Sequence, residues 1–265
     1  MSLATGTDGR YEIVRGDHVA GLSDIGRVRQ VNEDAMHISA TGRLLVVADG
    51  IGGRRGGEVA SAVAVRTIVE RLEITTGIDE GAPRGTSLVQ EAVLAAHDGV
   101  SRQGRDDPAL RGMAAALLAA HISANEVRMC HVGDVRCYYL RDRQLTLLTH
   151  DHSVPGALVR DGRLTLEDAR VHPARNELTQ ALGMAEPISP AVTHFLLRDN
   201  DTLLICSDGL WGEIRHDELQ RLMLGGGTAF QVASRLVDEA RSTGGTDNIT
   251  CIAYTHTRRT DSRTW

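Results

Sequence analysis

Short apolar runs and segments of helical period follow one another in blocks along the chain. Apolar runs bounded by Gly, Asn, Asp and Ser turn signals predict β-strands. The predicted strands, in chain order, are His18–Ile25, Ala35–Ser39, Arg43–Ala48, Met113–His121, Val127–Val132, Arg136–Leu140, Ala191–Leu197, Asp201–Ser207 and Ile249–Tyr254.

Two pairs of segments carry apolar side chains at the period of an α-helix. The first pair begins near Glu58 and continues, after the polar loop Thr75–Gly85, with apolar residues from Val89 to Val100 on one face. The second pair covers about 216–224 and 228–241. Because strands and helices come in blocks rather than in alternation, we predict antiparallel sheets with helices stacked outside them, not a Rossmann-type sheet.

Residues 149–187 differ from the rest of the chain, since they are polar, with short helical pieces and little strand signal. A segment of this length inside a compact domain is usually a functional lid or flap. We expect a single domain over residues 11–256 with this flap inside it. The polar ends, residues 1–10 and 257–265, are expected to be tails.

Composition narrows the classes to which the chain can belong. Its 265 residues are 42% hydrophobic, which supplies a sizeable core, and only 3% aromatic, so that core is aliphatic. A net charge of −6 without a basic patch argues against nucleic acid as a partner. Four cysteines in strand-like runs read as buried thiols of a reducing compartment. No run of membrane-spanning length and no signal peptide is visible, so we expect a cytoplasmic protein without a membrane partner.

Three aspartates lie where predicted strands end or begin. Apolar runs lead directly into Asp49 and, through Ser207, into Asp208, and Asp247 precedes the last strand. Burying an unpaired carboxylate costs several kcal/mol, so such a residue normally binds a metal, a cation or a cluster of N–H groups. Asp-Gly is also an ordinary turn signal. The repetition favours ligands for hard divalent cations, which prefer oxygen.

Six blocks in order resemble the metal-dependent protein serine/threonine phosphatases of type 2C, in their compact bacterial form. They are SDIGRVRQVNEDA, VVADGIGGRRGGEVAS, HVGDVRCYYLR with LLTHDHS, HPARNELTQALG, LLICSDGLWGEI and GGTDNITCIAY. The resemblance runs from about residue 20 to 255. It implies an α+β fold of four layers, in which a central antiparallel β-sandwich is flanked by pairs of helices.

The resemblance also implies roles for single residues. Asp49 matches the carboxylate that bridges two metal ions, and the Gly50 carbonyl matches a ligand of the second ion. Asp208 and Asp247 match the acids of the first ion.

Other matched positions surround this pair of ions. Glu33 matches an acid that reaches the second ion through water, and Asp134 matches the acid of a third, weaker site. Arg29 is expected on the substrate phosphate, where a guanidinium can bind two oxygens. Asn248 is expected to orient the preceding aspartate.

The implied reaction is hydrolysis of phosphoserine and phosphothreonine in proteins. Two Mn²⁺ or Mg²⁺ ions, with a third at the weaker site, would neutralise the phosphate and acidify a water between them. An oxygen-only ligand set favours these ions over zinc. The expected partners are phosphoproteins of a cognate serine/threonine kinase, and the enzyme is expected to be a monomer.

Two departures leave an alternative open. Ile51 stands where eukaryotic members often have a histidine, regarded as the acid for the leaving group, and Met113 to Ala116 follow Gly112 where Gly-Thr-Thr is usual. The alternative is a catalytically silent member that binds phosphoproteins or a regulatory partner. A third hypothesis keeps the chemistry and places a stress-signalling protein as substrate, with the flap setting specificity.

Simpler interpretations exist for several of these residues. Asp134 can cap a turn, Glu33 can be a surface acid beside Asp34, and Arg29 can be an exposed charge. His150-Asp151-His152 has zinc-like spacing, but we expect a packed or hydrogen-bonded pair there.

Overall fold

The computed structural model describes residues 10–51, 56–75, 86–185 and 187–257. Its strands are β1 (Arg10–Arg15), β2 (Val19–Asp24), β3 (Asp34–Ile38), β4 (Leu44–Ile51), β5 (Ala114–Ser123), β6 (Glu126–Val132), β7 (Arg136–Arg141), β8 (Gln144–Leu147), β9 (Ala191–Leu196), β10 (Thr202–Cys206) and β11 (Ile249–Thr255). Over these ranges, we find no helix with the length and apolar character that crossing a membrane requires.

The paired strands run antiparallel and form two sheets. Sheet I has the order β1-β2-β11-β10-β7-β8, and sheet II has the order β3-β4-β5-β6-β9. In sheet I, β11 lies between β2 and β10, with Ile249 opposite Asp24 and Cys251 opposite Cys206. The strand order therefore joins distant parts of the sequence at the centre of sheet I.

Helices cover the outer face of each sheet. They are α1 (Gly57–Val69), α2 (Thr86–Asp106), α3 (Val154–Arg160), α4 (Leu166–Arg170), α5 (Asp208–Trp211), α6 (His216–Leu224) and α7 (Ala229–Thr243), with a π-helical turn at Glu70–Thr75 and a 3-10 turn at Pro108–Leu110. The first two helices pack on sheet II, and the last three pack on sheet I. These four layers confirm the predicted α+β sandwich.

Strand β4 shows why its apolar run is continuous rather than alternating. Leu44 and Val46 face α1 and α2, whereas Leu45 and Val47 face the core between the sheets. A strand that is covered on both sides needs apolar residues at every position. Each fully buried side chain of this kind contributes about 1.5–3 kcal/mol, so β4 holds the start of the site rigidly.

Two edge strands were not predicted. The sequence places Arg10 in a tail, but Arg10 begins β1, where its guanidinium bonds to Asp24 (2.9 Å) and Asp238 (2.9 Å). Strand β8 is short and has exposed positions, so it lacks an apolar signal. The remaining tail residues, 1–9 and 258–265, and most of the predicted loop, 76–85, lie outside the described residues.

The flap, residues 149–187, contains α3 and α4 and takes part in isolated bridges. Ser153 bridges Leu178 within it, and Leu182 bridges Ala115 of β5. The short helical pieces match the prediction. Whether the segment acts as a flap, and whether residues 11–256 form one domain, stay predictions.

Candidate metal centre

One end of the sandwich gathers acids from segments that are far apart in sequence. Asp49 comes from β4, Asp208 begins α5, and Asp247 lies immediately before β11. Burial, followed by the negative charges of Asp208 and Asp34, raises the pKa of Asp49 well above its usual value. Burial and then the charge of Asp247 raise the pKa of Asp208 to about 6. The predicted convergence of the three aspartates is present.

Asp34 is an acid of this centre that the sequence interpretation left as a surface residue. It is buried, and its Cα pairs with that of Asp49 across β3 and β4. The Ser207 hydroxyl donates a hydrogen bond of 2.8 Å to Asp34 Oδ2. Burial is the main cause that raises the pKa of Asp34 to about 8. Hydrogen bonds to the carboxylate lower this pKa, and the charges of Asp208 and Asp247 raise it further.

Asp134 occupies the turn between β6 and β7, and its side chain is also buried. Burial, then the charges of Asp208 and Asp151, raise the pKa of Asp134 well above its ordinary value, although Arg136 opposes them. The backbone of the turn is fixed by Trp211, whose indole N–H donates to the Asp134 carbonyl at 3.1 Å. Asp134 therefore adds a further carboxylate to the centre.

Arg29 lies over the acids and is 44% exposed. Its Nη2 donates to Asp247 Oδ2 at 2.7 Å, and its Nη1 lies 3.5 Å from Glu33 Oε2. Burial is the main cause that raises the pKa of Glu33, while the charge of Arg29 opposes it. Arg29 and Glu33 are thus both at the centre. Arg29 is an exposed charge, as the simpler interpretation has it, and it also pairs with both acids; its contact with the substrate phosphate stays a prediction.

The glycine at position 50 allows an exceptionally close backbone approach. A Cβ atom on Gly50 would collide with the Gly57 carbonyl oxygen and lie 2.6 Å from the Glu33 carbonyl oxygen. A Cβ atom on Gly57 would lie 2.5 Å from Glu33 Oε1 and 3.0 Å from the Gly50 carbonyl oxygen. The Gly50 carbonyl and the Glu33 carboxylate consequently face the same small space.

Asn248 organises the loops around the acids. Its backbone N–H donates to Asp247 Oδ1 at 2.8 Å, as expected of a residue that orients the preceding aspartate. Its side-chain amide donates to the carbonyls of Ile25 and Val31, both at 3.0 Å, and its Oδ1 accepts from Glu33 N–H at 2.8 Å. One side chain therefore holds the loop that carries Arg29.

The donor set fits hard divalent cations. All the side chains gathered here that can bind a metal are carboxylates. Burial, followed by their mutual repulsion, raises their pKa values, and a bound cation would favour their charged forms. Among the residues that the structure describes, no three His, Cys, Asp or Glu side chains form a ready-made group around one ion.

The other candidates serve packing. His152 stacks on His131 with ring centroids 4.9 Å apart, and burial lowers the pKa of His152 to about 4. Asp151 pairs with Arg136, whose guanidinium lies 3.6 Å from the centre of the Trp211 ring. His152 is packed, but its partner is His131 and not a residue of His150-Asp151-His152.

Ala116 of β5, part of the departure from Gly-Thr-Thr, is buried and pairs with Asp49 across β4 and β5. Ala115 pairs in the same way with Gly50. The expected effect of these alanines on activity stays a prediction.

A cleft of about 330 Å³ opens beside the acids, between Arg170 to Asn176 of the flap and Asp208, Glu213 and Asp247. A larger groove of about 1060 Å³ lies where the opposite strand ends meet, and none of the acids described above lines it. Of the two, only the smaller cleft gives a substrate access to the acids.

Comparison with known proteins identifies relatives over most of the chain. The family model for protein phosphatase 2C matches residues 24–242. The serine/threonine phosphatase stp of Listeria monocytogenes serotype 4b is 33% identical over 238 residues, which are 89% of this chain and 94% of that protein. The serine/threonine protein phosphatase PstP of Mycobacterium tuberculosis is 36% identical over 88% of this chain, which spans 44% of PstP.

Solved structures agree with these relatives. The crystal structure of the Mycobacterium tuberculosis phosphatase PstP/Ppp superposes with a TM-score of 0.80 at 33% identity, covering 90% of this chain and 98% of that one. The catalytic domain of PstP in complex with two manganese ions gives a TM-score of 0.79 at 33% identity, covering 89% and 97% of the two chains.

Proposed function

The chain belongs to the protein phosphatase 2C family, and from this premise we propose which of its residues carry the reaction. The protein is a metal-dependent protein serine/threonine phosphatase that uses manganese or magnesium and acts on phosphoproteins. The relatives reported above are phosphatases by name, which leaves the alternative of a silent binding protein without support.

The convergence of Asp49, Asp208 and Asp247 at one end of the sandwich carries the assignment of the ligands. Asp49 would bind both ions, and Asp208 and Asp247 would bind the first of them. The Gly50 carbonyl would be a ligand of the second ion, and Glu33 would hold that ion through water. The shared space between Gly50 and Glu33 and the raised pKa of Asp49 support this division.

Asp134 holds a third, weaker ion in this proposal. Its buried carboxylate interacts electrostatically with Asp208. This interaction supports a position of Asp134 close to the pair of ions. The fixed turn at Asp134 keeps that carboxylate directed at the centre.

When bound, the ions neutralise phosphate charge and supply a water that is acidic enough to attack phosphorus near neutral pH. Arg29 binds the phosphate with two of its N–H donors, because its guanidinium is partly exposed and already directed at the acids. Ile51 is 38% exposed and has no ionisable proton, so it does not protonate the leaving alkoxide. The general acid stays unassigned.

The cleft beside the flap is where we expect the phosphoprotein to bind. Arg170 anchors the flap by donating to the Gly212 carbonyl at 2.9 Å, next to α5. We expect the flap residues that line this cleft to contact the substrate and to contribute to specificity. A cognate serine/threonine kinase as the source of substrates, a monomeric state and a cytoplasmic location stay predictions.

Hydrolysis of para-nitrophenyl phosphate tests this assignment. The reaction is measured with and without Mn²⁺, with a chelator control, for the natural chain and for Asp49→Asn. This leaving group needs little protonation, so Ile51 cannot mask activity. We expect turnover that depends on Mn²⁺ and on Asp49. A folded protein that binds Mn²⁺ and shows no turnover would restore the silent alternative.

A further inference from the structure

Glu213 is an acid of the cleft that the proposed ligand set does not include. We propose that Glu213 is a positioning residue, which fixes the loop before Asp247 relative to Asp208 and thereby sets how tightly the first metal ion is held. This inference rests on the proposed roles of Asp208 and Asp247.

The carboxylate of Glu213 accepts two hydrogen bonds from one residue. Thr246 donates its backbone N–H at 3.1 Å and its hydroxyl at 2.6 Å, both to Glu213 Oε1. The carboxylate also lies against the bare backbone of Gly244, where a Cβ atom would collide with Oε2. Thr246 is the immediate neighbour of Asp247, so Glu213 holds the loop at the residue before the ligand.

Glu213 is rigidly connected to Asp208. Helix α5 begins at Asp208, and the helical turn closes with hydrogen bonds from Gly212 N–H to the Asp208 carbonyl (2.7 Å) and from Ile214 N–H to the Leu210 carbonyl (3.1 Å). Leu210 and Ile214 are buried in the core under sheet I. The spacing between Asp208 and the Glu213 carboxylate is therefore set by a packed helical segment.

A second contact joins the same two segments. A Cβ atom on Gly209 would collide with the Asn248 carbonyl oxygen and lie 3.4 Å from the Cβ atom of Asp247. The segment 208–213 thus touches the loop on both sides of Asp247, at Asn248 through Gly209 and at Thr246 through Glu213. Glu213 therefore limits how far Asp247 can move away from Asp208.

Binding of Mn²⁺ to the metal-free protein, measured by isothermal titration calorimetry, tests this role. Loss of outer-shell support typically weakens metal affinity 10- to 100-fold, and because Glu213 acts through Thr246 we expect about 10-fold for Glu213→Ala. Glu213→Gln keeps an oxygen that can accept both hydrogen bonds and should bind Mn²⁺ like the natural chain. The matched control is Glu218→Ala, which also removes one acid and breaks only an exposed pair with Arg221 on α6.

The two Glu213 variants together test the positioning role. Natural Mn²⁺ affinity in Glu213→Ala, or equal weakening in Glu213→Gln, would overturn the positioning role. Asp247→Asn tests the ligand assignment separately from the positioning role. If this variant also binds Mn²⁺ with natural affinity, the ligand assignment itself fails. If Glu213→Ala does not fold, Thr246→Val and Thr246→Ser replace it in the experiment. We expect weaker Mn²⁺ binding only for Thr246→Val, because valine lacks the hydroxyl donor. Natural Mn²⁺ affinity in Thr246→Val would overturn the positioning role.

Discussion

Replacing Asp151 with asparagine should strongly destabilise the protein, because it leaves the Arg136 guanidinium buried without a countercharge. The two side chains are 5% and 8% exposed, and they form a bidentate pair with Nε–Oδ1 of 3.0 Å and Nη2–Oδ2 of 2.7 Å. Removing one partner of a buried ion pair costs about 3–5 kcal/mol.

Part of this cost is recovered in the variant. The amide oxygen of asparagine can still accept one bond from Arg136, the Tyr138 hydroxyl stays at 3.0 Å from Nη1, and the Trp211 ring still covers the guanidinium. We therefore expect the lower end of the range, about 3 kcal/mol. A variant that also changes Arg136 to methionine should regain most of the loss, since no orphan charge remains.

Urea unfolding in the presence of a chelator measures this difference without a contribution from bound metal. Fluorescence reports it directly, because Trp211 is one of two tryptophans and packs against Arg136. Asp217→Asn is the matched control: its pair with Arg215 is exposed, and such pairs contribute about 0–1 kcal/mol. If Asp151→Asn costs no more than this control, the reasoning from burial is refuted.

Three further predictions concern the metal centre. Asp49→Asn should abolish hydrolysis of para-nitrophenyl phosphate and leave cooperative thermal unfolding; full activity would contradict its assigned role. In metal-free protein, the pKa values of Asp34 (about 8) and Asp208 (about 6) lie above the unfolded value of about 4. The contribution of these two acids to stability should therefore be fully present below that value and be lost as pH rises through 6 to 8, and a melting temperature in chelator that rises from pH 6 to 8 would disprove this. Gly50→Ala should lower both the melting temperature and Mn²⁺ affinity, because its Cβ collides with the Gly57 carbonyl; unchanged values in calorimetry would contradict the described approach.

The strands and helices were predictable where burial produces a clear pattern of apolar residues. Strands covered on both faces, such as β4, give continuous apolar runs, and helices that cover a sheet give a clear helical period. The edge strands β1 and β8 were missed, whereas the edge strands β3 and β9 were predicted. Strands β1 and β8 have few buried positions, so their backbone pairing leaves no local apolar signal.

The site was predictable only for residues next to strong local signals. Asp49 and Asp208 were found because each follows a buried run that ends in Gly or Ser turn chemistry. Asp34 was missed, since its place beside Asp49 depends on the register of β3 against β4. Glu213 was missed for a similar reason: its contact with Thr246 spans 33 residues and carries no motif.

The position of β11 in sheet I has a consequence for synthesis on the ribosome. During synthesis, β2 and β10 are made before β11, which pairs with both of them. Until β11 is made, each of the two strands therefore has one edge without a hydrogen-bonded neighbour. Such edges invite association between nascent chains, and chaperones that shield them would raise the yield of folded enzyme. Asp247 and Asn248 emerge immediately before β11. If Asp247 binds the first metal ion as proposed, a partly synthesised chain lacks this ligand until the strand that closes the sheet is made.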